Sequence, residues 1–286
     1  MLESVLYSEI ASSSPAPSSV SKGKKFGKEM YIIDVSGTIV NDKQFISSLE
    51  NAFDKYAAKY YAEEKGLSQP AAKVQAEKGT ALREKGSKNS NGSAYQTYLK
   101  MQDEVAAYAY QKGKLSLDIF YEAAVAIRHL TEEGKTVVIY SSGLKHTFKP
   151  AFKSAKMSGG KTLDDFISFY FSSFDIGDKD KVSSFRTIAN KMGISLKNAV
   201  FVDDKEENAK TAVKAGVKKV YVISKNPDRK KSKDKSSEEY YVIQSIKQIL
   251  DDDENHNHET ESSKQTETSE ESSEIGSEDA SYSEAA

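Results

Sequence analysis

The run Glu29-Met30-Tyr31-Ile32-Ile33-Asp34-Val35-Ser36-Gly37-Thr38-Ile39-Val40 constrains this chain more than any other stretch. Met30 to Ile33 is continuously apolar, and such a run fits a strand inside a parallel sheet, where both faces are covered. Asp34 then falls at the C-terminal end of that strand, the edge at which open α/β sheets place their ligands. A carboxylate stranded after four apolar residues is costly to bury alone, so a Lys or a metal cation is expected beside it. Gly37 and Thr38 follow at once, as a turn would require.

After Val40 the pattern changes to that of helices. Phe45, Ile46, Leu49, Phe53, Tyr56, Ala57 and Tyr60 recur at steps of three and four, an amphipathic stripe to about Gly66. Ala71 to Lys85, Tyr95 to Tyr110 and Leu117 to Leu130 continue in the same mode, the last closed by Gly134. No strand signal interrupts them, so residues 41–130 are expected to form a helical cap inserted after the first strand.

Strand and helix then alternate. Thr136 to Tyr140 reads as a strand followed by Ser141-Ser142-Gly143, Phe166 to Phe171 as a short strand, and Asp178 to Met192 as a helix beginning near Lys179. Asn198 to Val202 is a strand ending in Asp203-Asp204, with a helix over 206–215, a strand over 219–223 and a last strand or helix edge in 240–250. The predicted class is α/β: a doubly wound parallel sheet built from 29–40 and 131–250, with the cap as its insertion.

Composition sets the outer limits. With 37% hydrophobic residues and a mean hydropathy of -0.62, part of the 286-residue chain is not expected to pack. Residues 1–28, Ser/Pro-rich over Ser12 to Ser21, read as a disordered leader rather than a secretory signal. Asp251 to Ala286 holds 13 of the 43 acids and one of the 41 bases, an acidic tail that leaves the body at +10. Almost without aliphatic residues, this tail cannot offset its own ordering entropy. The absence of Cys excludes disulfides, thiol catalysis and Cys-zinc sites, and fits a reducing compartment. No apolar run reaches the roughly 20 residues of a membrane helix. The basic run Arg229 to Lys235 reads as a solvated loop rather than a nucleic-acid surface; the nucleus is the alternative address it would suggest.

A parallel sheet opens all its strand C-termini on one edge, so Asp34, Ser141 with Ser142, Lys179 and Asp204 can converge there. Phosphoryl transfer needs a nucleophile, a divalent cation to spread charge, and donors for the phosphate oxygens. Two carboxylates and a backbone carbonyl at Ser36 suit Mg²⁺, which prefers hard oxygen ligands. Ser141 can donate to a phosphate oxygen, and Lys179 can neutralise it as a point charge.

In sequence order these groups resemble the four motifs of the haloacid dehalogenase (HAD) superfamily. Leu99-Lys100-Met101-Gln102, Gly113-Lys114-Leu115, Ile139-Tyr140-Ser141-Ser142-Gly143 and Ile176-Gly177-Asp178-Lys179 are similar more specifically to acireductone synthases, the enolase-phosphatases of methionine salvage. The resemblance implies Asp34 as the metal-bound nucleophile and Lys179 as the phosphate-holding catalytic cation. It implies Ser141, Ser142 and Thr38 as substrate contacts, and Asp34, Ser36 and Asp204 as the Mg²⁺ site. Its substrate would be a small phosphorylated metabolite, 2,3-diketo-5-methylthiopentyl-1-phosphate, which the family enolises and dephosphorylates. A cytoplasmic monomer is the corresponding expectation. Asp204 is preferred to Asp203 because counting back from Ala209 places Asn208 at the family's second acid, and Asp203 where a small residue usually stands.

Two departures stand out. Leu144-Lys145-His146-Thr147 differs from the family after Ser-Ser-Gly, and position 36 is Ser where the family has Glu and most HAD phosphatases have Asp. A Ser hydroxyl is too weak an acid to protonate a leaving group, and loss of a general acid usually costs about 10² to 10⁴ in rate. Two functions are therefore open: a Mg²⁺-dependent phosphatase of small esters, or a catalytically weak or inactive HAD domain that serves as a binding module.

Overall fold

In a computed structural model the described residues are 26–86, 92–143, 145–225 and 240–250. The expected leader, the acidic tail and the basic run at 229–235 lie wholly or almost wholly outside them. Six parallel strands form one sheet: β1 (Met30–Ile33), β2 (Thr136–Ser141), β3 (Phe169–Ser172), β4 (Ala199–Asp203), β5 (Lys219–Ile223) and β6 (Tyr241–Ile243). Their spatial order is β3-β2-β1-β4-β5-β6, with β1 central. The chain order reverses between β1 and β4, which is the switch point where doubly wound sheets open a crevice. Ile33 pairs with Ile139 on one side and Val202 on the other, so Asp34 emerges beside the end of β4.

The continuous apolar runs are explained by two layers. Tyr31, Ile33, Val137, Ile139, Val200 and Val202 face one core, while Met30, Ile32, Val138, Tyr140 and Phe201 face the other. Alternate residues of every strand thus enter opposite layers. Each fully buried Val, Ile or Phe stabilises the fold by roughly 1.5–3 kcal/mol of transfer free energy before ordering costs.

Four helices lie between β1 and β2: α1 (Asp42–Glu63), α2 (Gln69–Gly86), α3 (Ser93–Gln111) and α4 (Tyr121–Glu132). The first three surround a cluster of their own, centred on Phe53, Ala57, Tyr98, Met101 and Val105. Ala72, Gly79 and Gly86 form the buried seam of α2, seven residues apart, and let it approach its neighbours closely. A methyl group on Gly79 would lie 2.3 Å from Phe53 Cζ. By contrast, α4 packs Ala123, Ala126, Ile127 and Leu130 onto the sheet. It is therefore a crossover helix of the sheet, although the helical period of 117–130 is the same as that of the preceding segments.

Beyond β2 come α5 (Lys145–Ser154), α6 (Ser173–Ile176), α7 (Val182–Met192) and α8 (Glu206–Ala215). The third strand starts at Phe169 rather than Phe166, because Thr162 and Asp165 form a capping box that turns Leu163–Phe166 into a short 3₁₀ helix. Lys179 lies in the loop before α7, three residues ahead of its first turn.

Candidate active site

Asp34 continues the β1–β4 ladder by one step, its N–H donating to the Val202 carbonyl at 2.9 Å. The residue is 4% exposed. The cation expected beside it is Lys179, whose Nζ donates to Asp34 Oδ1 and, at 2.8 Å, to Asp203 Oδ2. Lys179 is itself 3% exposed. Asp203, the last residue of β4, is fully buried and heavily engaged. Its Oδ1 accepts from the Lys205 N–H at 2.8 Å, and Asn208 Nδ2 lies 3.0 and 3.1 Å from its two oxygens.

Lys179 is placed from below by Tyr140. The Tyr140 ring lies 5.5 Å from the ammonium, a cation–π arrangement. Its hydroxyl donates to the Gly177 carbonyl at 2.7 Å, which ties down the loop that carries Lys179. Gly177 has φ of 97°, and a Cβ there would come within 2.9 Å of Ser184 Oγ, so both conformation and space select glycine.

Asp34, Asp203 and Asp204 each offer a carboxylate oxygen within 4.8 Å of the others. That is close to the span of ligands about one Mg²⁺, whose bonds are about 2 Å. Gly37, with φ of 79°, allows the approach: a Cβ there would stand 2.2 Å from Asp204 Oδ2. Three carboxylates against one ammonium leave two negative charges, which a divalent cation would balance. The donors are all hard oxygens, so the residues present fit Mg²⁺.

The electrostatics agree with this count. Burial pushes the Asp34 carboxyl up to about 7, opposed by the Lys179 charge and reinforced by that of Asp203. Burial alone would lower Lys179, but the charges of Asp34 and Asp203 outweigh it and hold the ammonium above its ordinary range.

The other residues singled out from sequence lie along the same edge. Ser141 ends β2, is 4% exposed, and accepts from the Gly143 N–H at 3.1 Å. Ser142 is exposed and Ser36 half-buried. Thr38 is buried, its hydroxyl enclosed with no hydrogen-bond partner among the described residues. The sequence reading passed over Asp203, Asn208 and Tyr140. For Asp203 the signal was present: an Asp directly after Val200-Phe201-Val202 needs a partner by the same reasoning applied to Asp34.

Residues 29–216 match the family model of the haloacid dehalogenase-like hydrolases. Curated relatives named enolase-phosphatase E1 include one from Synechococcus sp. (strain CC9605), 28% identical over 150 residues, covering 52% of this chain and 56% of that protein. Another, from Yarrowia lipolytica, is 29% identical over 122 residues, 42% of this chain and 51% of its own length. The chain thus spans about half the length of the curated relatives it matches. Among solved structures, the UTR4 protein of Saccharomyces cerevisiae superposes with a TM-score of 0.56 at 17% identity, over 77% of this chain and 99% of that one. A HAD phosphatase from Thermococcus onnurineus gives 0.51 at 16% identity, over 77% and 95%. These two share the fold. With the match to the family model spanning most of the chain, the protein belongs to the haloacid dehalogenase-like hydrolases.

Proposed function

We propose that the chain is a Mg²⁺-dependent phosphatase of a small phosphorylated metabolite, working through a phosphoryl group transferred to Asp34. The observation that carries this reading is the convergence of the Asp34, Asp203 and Asp204 carboxylates within 4.8 Å, with Lys179 between two of them. Asp34, Asp204 and the Ser36 carbonyl would hold the ion, with Asp203 adjoining. Bound there, Mg²⁺ supplies positive charge to the phosphoryl oxygens.

The side chains divide the remaining work. The Asp34 oxygen attacks phosphorus, and Lys179 offsets charge on the transferring group. Ser141, Ser142 and Thr38 contact the substrate, with Ser141 donating to a phosphate oxygen. The layer α1–α3 acts as a cap over this edge. The similarity to enolase-phosphatases supports an enolase-phosphatase-like substrate of methionine salvage as the most specific form. No helix among the described residues is long and apolar enough to cross a membrane, and a cytoplasmic monomer remains our proposal.

The test is phosphate release from a panel of small esters by the full chain. Release should require Mg²⁺ and be lost in Asp34→Asn. A second reading, a binding module of the same fold, is favoured by Ser36, which removes the family's acid. Equal inactivity of wild type and Asp34→Asn across the panel would select it.

A further inference from the structure

Beneath the Lys179 loop lies a small group of enclosed hydroxyls. The Tyr140 hydroxyl spends its one proton on the Gly177 carbonyl at 2.7 Å and keeps its lone pairs as acceptors. Ser173, on α6, and Ser184, on α7, both come up against it. Burial raises the Tyr140 hydroxyl, opposed first by hydrogen bonding to Ser184, then by the Lys179 charge and by Ser173. The two serine hydroxyls are themselves enclosed, with no bond of ordinary geometry to any other acceptor among the described residues. The Tyr140 oxygen is thus the acceptor within their reach.

Ser184 is fully buried, and its neighbour Phe185 meets the Tyr140 ring edge-on at 5.9 Å. One turn of α7 therefore frames Tyr140 twice, at the ring and at the hydroxyl. The hydroxyl of Ser184 is not a helix cap: Lys181 is the N-cap, and the Ser184 N–H already donates to the Lys181 carbonyl at 3.1 Å. An enclosed hydroxyl with nothing to bond is a net cost that Ala at the same place would avoid. Ser184 also adjoins the loop directly, since a Cβ on Gly177 would stand 2.9 Å from its Oγ.

We propose that Ser184 is a positioning residue for Lys179, acting through the Tyr140 hydroxyl on the loop that begins at Gly177. Ser184 Oγ–H donates to Tyr140 Oη, which donates to the Gly177 carbonyl, and each bond polarises the next. Two residues beyond Gly177 the loop delivers the ammonium to Asp34 and Asp203. The inference rests on the phosphatase reading for its effect on phosphate binding, and on geometry alone for its effect on the loop.

The test is a double-mutant cycle on the full chain: wild type, Ser184→Ala, Tyr140→Phe and the pair, assayed by phosphate release from acetyl phosphate at saturating Mg²⁺. Ser184→Ala should raise KM about fivefold, as the loss of one net hydrogen bond does, and leave kcat within about twofold. In the Tyr140→Phe background the same change should add nothing, because both act through one oxygen. A merely structural serine would lower Tm and leave KM where it was. Additive effects in the pair, or an unmoved KM, overturn the inference and leave the phosphatase reading standing.

Hydrogen exchange at the amides of residues 178–181 gives a readout that needs no turnover. Ser184→Ala should speed it about fivefold, with no further gain in the pair over Tyr140→Phe. Unchanged exchange overturns the inference whether or not any ester is hydrolysed. If wild type releases no phosphate while exchange responds as stated, the phosphatase reading fails and the hold of Ser184 on the loop stands.

Discussion

Asp203 Oδ2 accepts from Lys179 Nζ at 2.8 Å, inside the protein, while the same ammonium contacts Asp34. The cation is therefore shared, and Asp203 acts as a positioning residue for it. Asn208 and the Lys205 N–H hold Asp203 in turn, so the start of α8 acts through Asp203 on a lysine 24 residues before that aspartate. That linkage couples the second half of the sheet to the nucleophile.

Asp203→Asn should separate these contributions. The variant removes one partner of a buried pair but leaves Lys179 with Asp34, so the loss should be about 1–3 kcal/mol. This is less than the roughly 3–5 kcal/mol seen when a buried charge is left wholly uncompensated. Asp203 also raises the Asp34 carboxyl, so its neutralisation should lower that pKa. Denaturant melts check the first effect, and a carboxyl NMR titration the second.

Binding of Mg²⁺ should weaken as pH falls below about 7, because the Asp34 carboxyl is raised to about 7 and must lose its proton to ligate. The sign for stability follows from linkage. A carboxyl raised above its unfolded value of about 3.9 gives the metal-free fold a contribution that is complete below that value. It is lost as pH rises through about 7. The Tm gain on adding Mg²⁺ should therefore grow between about pH 5 and 8, as differential scanning calorimetry can show.

Tyr140→Phe should keep the ring under Lys179 and remove the 2.7 Å bond to Gly177. A net hydrogen bond is worth about 1 kcal/mol, so a roughly fivefold loss in kcat/KM for a phosphate ester is expected, carried mostly by KM. Mg²⁺ affinity, measured by calorimetric titration, should stay unchanged, because Tyr140 acts through Lys179 and not through the carboxylates.

Gly79→Ala tests the packing of α1–α3. Helix propensity favours Ala by about 1 kcal/mol, but overpacking typically costs about 1–3 kcal/mol. The new methyl would meet Phe53 Cζ at 2.3 Å and Met101 Cε at 2.9 Å within a closed cluster. A net loss of about 1 kcal/mol in a urea melt is the expected result.

The sheet was legible because its strands are apolar on both faces and end in polar groups, a pattern that survives without tertiary information. Asp34, Ser141, Lys179 and Asp204 could be placed on one edge for the same reason. The role of α4 was not legible: its amphipathic period is the same whether it packs on the sheet or with α1–α3, and only its contacts decide. Asp203 was missed because reasoning by motif position assigned it a small residue's place, where its burial after Val202 called for a cation. Tyr140 could not be distinguished from an ordinary core aromatic, since its hydroxyl bond to Gly177 spans 37 residues.

The most direct measurement is to quench the Mg²⁺-loaded full chain with acid during turnover of acetyl phosphate and map the phosphoryl group by peptide mass spectrometry. One phosphoryl group on the peptide containing Asp34, absent in Asp34→Asn, is the expected result. A label on any other residue, or none while phosphate is being released, would contradict Asp34 as the nucleophile.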